Sequence, residues 1–370
     1  MPIEESRNIE EKELGTRTRG GRLFELDALR GLAAFTVIWH HLRSALPAGG
    51  AHAWYLALIT SGHQAVCLFF VLSGYVLSMP YWRGKQQAYG DYLLRRFFRI
   101  YVPFFAGLLL AWAGAWKFYG SHLPLTSWFH ETWQTRLTWS LFLRQIFMSP
   151  TPDINTAFWS LRVEAQFSIL LPIFCFVVSR LPWILTLLVG LLSYTAGLHF
   201  QNLDAQHGLI AIPMFLFGML LSRHHAWIET SWNKLPRVAR WAMPFAGLLL
   251  YLRFLPAGSY ADFLTGIGSA LLIVSSLHLV PLSKILRHSI PEYLGRISYS
   301  LYLVHATILF AMLNLFYGKM SLWLLGTIYC IAAIGCAHLL CVLVEEPAMR
   351  YGKRLTTPRA IKTLQAELSS

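Results

Sequence analysis

Charge is scarce in this chain. Only 13% of its 370 residues are Asp, Glu, Lys or Arg, against about 25% in a soluble globular domain, which sets an ordinary soluble fold aside. Cysteine is rare as well. Its five copies, Cys67, Cys175, Cys330, Cys336 and Cys341, form no C-x-x-C pair and have no His cluster beside them in sequence, so neither a disulfide framework nor a metal site is indicated. Cys336 and Cys341 are simplest as small apolar packing residues. No segment repeats at a period of about 20–50 residues, and no pair of matched broken helices marks the two halves. That weighs against a transporter built on inverted repeats.

Apolar residues are abundant, at 55%, and they cluster into runs near the length that crosses a bilayer. Ten such runs are expected as spans: residues 24–45, 63–82, 97–117, 157–178, 182–199, 207–222, 241–256, 262–281, 297–316 and 321–344. Arg253, Pro256 and Asp262 interrupt the seventh and eighth. With ten spans and the N-terminus inside, 23 of the 31 Lys and Arg fall in cytoplasmic segments and six in outer ones. Arg30 and Arg162 lie within spans. The positive-inside rule therefore predicts an all-α polytopic membrane protein with about ten transmembrane helices and both termini cytoplasmic. The formal net charge of +13 then reports topology in a lipid bilayer, and a nucleic-acid partner is not expected. Residues 1–22 are apolar-poor and read as a disordered cytoplasmic tail. A long n-region before a cleaved signal is the alternative, with Ala51-His52-Ala53 at the cleavage site. Residues 23–346 form the membrane domain, and 347–370 a cytoplasmic tail without a core of its own. The long outer segment, 118–156, is rich in Trp, Phe and His and suits a partly helical interfacial cap.

Several polar residues stand inside the apolar runs. Arg30 and His41 are eleven residues apart, which on a helix is about 20° past three full turns and about 16 Å along the axis. They share a face, while His40 points roughly 80° away from His41. Ionisable groups within a span mark functional sites by default, although Arg30 is near enough to the inner surface to snorkel. In a functional reading His41 is a general base, and Arg30 supports a developing negative charge. Arg95, Arg96 and Arg99 open the third span; Arg96 and Arg99 share a helix face and suit phosphates, yet Arg also flanks many inner helix ends. Glu164 sits about two turns into the fourth span and must be protonated, paired or wet, and Arg162 points to the opposite side of the helix. Tyr299, Tyr302 and His305 form a stripe spaced by three, fit either for a site or for bonds between helices. Glu346 and Arg350 form an i,i+4 pair. His338 and Arg253 have no assignment.

Taken in order, these segments resemble the acyltransferase-3 family of integral membrane O-acyltransferases. The matching pieces are Leu26-Asp27-Ala28-Leu29-Arg30-Gly31 with His41, Leu68-Phe69-Phe70-Val71-Leu72-Ser73-Gly74-Tyr75, and Arg96-x-x-Arg99. Trp159-Ser160-Leu161-x-x-Glu164-x-Gln166-Phe167, Tyr299-Ser300-Leu301-Tyr302-Leu303-Val304-His305 and Glu346-Pro347 complete the set, which spans about residues 22–350. One departure is Cys67, where an acidic residue is common. The resemblance implies acyl transfer from cytoplasmic acyl-CoA, acetyl-CoA first among them, to a hydroxyl of a carbohydrate or glycolipid. It also implies a bacterial inner membrane and a need for Arg30, His41, Arg96 and Arg99. The acceptor, the acyl group and the oligomeric state stay open.

On that basis His41, Arg30 and Glu164 are the expected catalytic residues, with Glu164 orienting His41 or the acceptor. Arg95, Arg96 and Arg99 are expected to bind the acyl-CoA, and Trp159, Ser160, Tyr302 and His305 to shape the substrate site. His41 either deprotonates the acceptor or carries the acyl group. Two rival classes are a transporter or flippase for a glycolipid or anionic solute, and a membrane scaffold in which the polar residues only pack helices.

Overall fold

The structure is a computed structural model that describes residues 18–19, 22–47, 61–84, 87–200, 202–255 and 257–356. Apart from a two-residue antiparallel pairing of Thr18–Arg19 with Arg22–Leu23, the described regular structure is helical. Of the two expected tails, residues 18–19, 22 and 347–356 are described, and the rest lies outside the described residues.

Helix α1 is Phe24–Ala45 and α2 is Gly62–Trp82. α3 (Tyr89–Arg96) runs through a π-helical turn, Phe97–Tyr101, into α4 (Val102–Phe118). The outer segment carries a 3-10 turn, Phe129–Glu131, and α5 (Trp139–Ile146). Then follow α6 (Phe158–Arg180), α7 (Trp183–His199), α8 (Leu203–Arg223), α9 (His225–Lys234) and α10 (Arg237–Tyr251). α11 is Ala261–His278, α12 is Val280–Leu286 and α13 is Ser289–Phe316. α14 (Leu322–Leu340) passes through a second π-helical turn, Cys341–Glu345, into α15 (Glu346–Thr356). Local chemistry supports these ends. α1 has Glu25 and Asp27 in its first turn and Arg43 in its last, the arrangement the helix dipole favours. Thr138 and Asn202 cap α5 and α8 by accepting from Leu141 N and Ala205 N, each at 3.2 Å.

Seven of the described helical stretches are long and apolar enough to cross a membrane. Each of the ten runs read from sequence contains a helix among its described residues, and the three outside that group have identifiable reasons. α1 carries Glu25, Asp27, Arg30 and Arg43, α7 has 17 residues and α10 has 15. α10 stops short of the expected 256 because Arg253 turns into the left-handed region, at φ 59°. The outer surfaces of the long helices expose Leu109, Ile169, Ile173, Phe176, Leu192 and Ile331, as a lipid-facing surface requires.

Two close crossings set the interior. A Cβ on Gly31 would collide with the backbone of Leu294 and Gly295, and one on Gly295 with the backbone of Asp27, so α1 and α13 touch main chain to main chain. Gly74 and Gly218 do the same for α2 and α8. Such small-residue contacts are how helices approach closely in lipid. The outer segment lies over the end of α1: Thr126 donates from N to Ala45 O (3.2 Å) and from Oγ1 to Ser44 O (2.6 Å). Trp128, Phe129 and Trp133 gather around Phe310 at ring separations of 4.9–5.6 Å.

The described part of the C-terminal tail, α15, exposes six of its eleven residues and turns one face to the membrane domain. α15 buries Ala348, Gly352 and Thr356, with Tyr351 5.3 Å from Phe98 and Arg95 Nε donating to Thr356 Oγ1. Glu346 joins Arg296 at 2.7 Å, while Arg350 Nε reaches only the Glu346 backbone oxygen. The expected Glu346–Arg350 clamp is therefore replaced by a tie to α13.

Candidate active site

Arg30 and His41 lie on the uninterrupted α1, and both face α13. Arg30 lines a narrow cavity with Ser73, Ser160, Glu164, Ser298, Tyr299 and Tyr302. The cavity leaves about 40 Å³ for the centres of water molecules, room for a few waters. His41, three turns further along, is bonded to His305: Nδ1 of the first lies 2.9 Å from Nε2 of the second. Tyr302 stands between the two levels, touching the cavity and lying 5.5 Å from the His305 ring.

The hydrogen bonds around His305 order the protons. Its Nδ1 is 2.8 Å from Tyr302 O, and a carbonyl only accepts, so Nδ1 carries hydrogen. A neutral His305 then has a bare Nε2, which accepts from His41 Nδ1–H. With both rings neutral, the lone pair of His41 sits on Nε2. One imidazole thereby sets the tautomer of the other, as a carboxylate or carbonyl does in many catalytic and metal sites.

The polar stripe on α13 diverges to three neighbours. Tyr299 OH donates to Ile100 O (2.6 Å), Tyr302 OH bonds Ser160 Oγ (2.7 Å), and His305 meets His41. Glu164 pairs with Arg96 at 2.9 Å, and Ser168 Oγ accepts from Arg96 Nη2 at 2.8 Å. Both charged side chains are largely buried, with exposures of 15% and 17%, so the pairing removes the penalty that an isolated carboxylate would incur. Glu164 thus engages Arg96 at the level of the Arg30 cavity, and of the two partners expected for it, His41 or the acceptor, His41 is instead bonded to His305. Arg99 takes a different carboxylate, Glu345, at 3.0 Å, with Ser300 Oγ donating to the other oxygen (2.6 Å). Arg95 turns to Thr356. The π-helical turn Phe97–Tyr101 starts directly after Arg96 and contains Arg99, so the two arginines leave the chain from different helical geometries.

The family profile described as an acyltransferase domain matches residues 23–342. The chain belongs to the acyltransferase-3 family. It is a membrane acyltransferase, an enzyme that moves groups other than amino-acyl groups. No curated protein and no solved structure matches it.

The family membership sets the polar interior in an enzyme, and it makes the residues missed in sequence informative. Glu345 and Ser168 hold the two arginines, yet no spacing pattern pointed to either. Arg253, left unassigned, pairs with Asp262, whose other oxygen is 2.9 Å from His63 Nε2. Cys67 joins them: ligand-capable atoms of His63, Cys67 and Asp262 lie within 4.8 Å of one another. No such cluster was legible because Asp262 is 199 residues from His63. A divalent cation fits these residues poorly, since both Asp262 oxygens are engaged and one faces a guanidinium. His338 Nδ1 bonds Tyr293 OH at 3.1 Å, a tie between α14 and α13.

Proposed function

We propose that this acyltransferase moves an acyl group, acetyl in the first instance, from cytoplasmic acyl-CoA to a hydroxyl of a carbohydrate or lipid-linked glycan. Its setting is the bacterial inner membrane, and surface polysaccharide O-acetylation is the process it fits. The observation that carries the reading is the bond between His41 and His305, which leaves His41 Nε2 bare for a proton or an acyl group, three turns along α1 from the polar cavity that Arg30 lines. In the direct route, His41 Nε2 takes the acceptor hydroxyl proton while the oxygen attacks the thioester carbonyl. The C–S bond then breaks, and the leaving thiolate takes the proton back from His41. In the covalent route the same nitrogen attacks the thioester carbonyl and the C–S bond breaks to release the thiolate; the acceptor oxygen then takes the acyl group as the N–C bond breaks, and its proton passes to the thiolate. Both routes react at Nε2, and His305 is a positioning residue in each.

We assign Arg30 to the donor's passage. It opens onto the cavity with Glu164 and Tyr299, about three turns below His41, where it can steady the donor's arm and the negative charge that develops on the donor. Arg96, Arg99 and Arg95 lie at the donor's entrance, and Ser160 and Trp159 line the way to the acceptor. The proposed topology has ten spans with both termini inside, which places the arginines on the coenzyme side. A transporter reading loses ground to the family membership. Purified protein in proteoliposomes, given acetyl-CoA and a glycan extract, tests the reading. It predicts release of free coenzyme A together with a new glycan ester, and transport without thioester consumption would overturn it.

A further inference from the structure

A second cavity, of about 220 Å³, adjoins the first. Val66 and Phe70 line both, and the neighbours Trp159 and Ser160 divide between them, Trp159 facing the second and Ser160 the first. Its mouth is built from the opening turns of four helices: His63 of α2, Trp159 of α6, Gln206 and His207 of α8, and Asp262 of α11. This end is opposite the arginines, because α6 runs from Trp159 past Glu164 to Ser168, where Arg96 docks. It is also the His41 end, since the His40 ring packs on Gly62 at the start of α2.

The chemistry of the cavity is specific. The Trp159 indole lies 4.4 Å from the His207 ring, giving an aromatic wall. His207 Nδ1 is buried and has no hydrogen-bond partner, a state that proteins seldom leave uncompensated. Gln206 and His63 offer groups that both donate and accept. Arg253 cancels the charge of Asp262, so the site presents no net charge to attract an ion. A flat apolar face beside paired donors and acceptors, without net charge, suits a polyhydroxylated ring. We propose that this cavity seats a sugar ring of the acceptor, which enters from the end opposite the donor and turns one hydroxyl past Val66 and Phe70. The proposal rests on the acyl-transfer reading above and adds where the acceptor binds.

Saturation-transfer NMR on the full chain in nanodiscs tests it, with methyl glycosides of glucose, galactose, N-acetylglucosamine and rhamnose as probes and coenzyme A as a separate ligand. The expected result is ring-proton saturation of at least one glycoside, reduced at least fivefold in Trp159→Leu and in Gln206→Ala at an unchanged thermal midpoint. If Trp159→Leu unfolds, the half-buried Gln206→Ala decides. Absence of any glycoside signal, an equal signal in the folded variants, or zinc binding that Cys67→Ala abolishes in place of glycoside binding would each overturn the assignment. Failure of coenzyme A to bind while a glycoside does would instead count against the donor reading and leave this cavity's role standing.

Discussion

His305 Nε2 lies 2.9 Å from His41 Nδ1, and the Tyr302 carbonyl behind His305 dictates which nitrogen of each ring holds hydrogen. His305→Ala removes the acceptor for His41 Nδ1–H and is expected to lower turnover about 10- to 100-fold, or roughly 1.4–2.7 kcal/mol of transition-state stabilisation. His305→Gln, whose amide oxygen can accept the same hydrogen, should recover most of that loss. A 15N-histidine spectrum provides a check independent of turnover: the wild type should show His41 protonated at Nδ1, and His305→Ala should show a mixture of tautomers.

The Arg96–Glu164 pair bridges α3 and α6 in a largely buried setting. Glu164→Gln leaves the guanidinium with neutral acceptors only and no counter-charge, and should lower stability by about 3 kcal/mol, read as a drop in thermal midpoint in detergent. Arg96→Met together with Glu164→Leu should recover much of that midpoint, because neither charge remains. Activity should stay low in the double variant. Recovery of stability without recovery of turnover separates the structural part of the pair from its part at the site.

Gly31 and Gly295 hold α1 against α13, and the histidine pair depends on that register. Gly31→Ala puts a methyl group into the main chain of α13 and should cost about 1–3 kcal/mol by overpacking. The helices must separate, so turnover should fall alongside the thermal midpoint. An equal change at Gly335, where an added Cβ meets nothing within 4 Å, should leave both measurements unmoved.

The proposed topology has a labelling signature. In a Cys336→Ala background the four remaining cysteines are buried. A cysteine at Pro124, in the outer segment, should react with an impermeant maleimide in intact cells, and one at Asn8 should react only after lysis. Reaction of Asn8→Cys in intact cells would reverse the orientation.

Much of the interior was legible from period alone. Helical spacing put Arg30 and His41 on one face, and Tyr299, Tyr302 and His305 on another, and the two faces meet. Spacing states which way a side chain points along its own helix; it does not state what stands opposite. Glu164 and Arg96 are 68 residues apart, and only the docking of α3 on α6 joins them. Glu346 had a neighbour one turn away in Arg350, yet Arg296 from α13 takes its carboxylate. The π-helical turns at Phe97–Tyr101 and Cys341–Glu345 shift direction where a regular helix was assumed. The His63–Asp262–Arg253 group was out of reach for the same reason, being assembled from two helix starts and a loop.

The most direct test of the account is single-turnover acyl transfer by the purified His41→Ala variant in proteoliposomes, with radiolabelled acetyl-CoA and a glycan extract from the membrane of origin. The account predicts that the variant, folded with a wild-type thermal midpoint, loses ester formation by about 100-fold or more while still binding coenzyme A. Ester formation at the wild-type rate would contradict it.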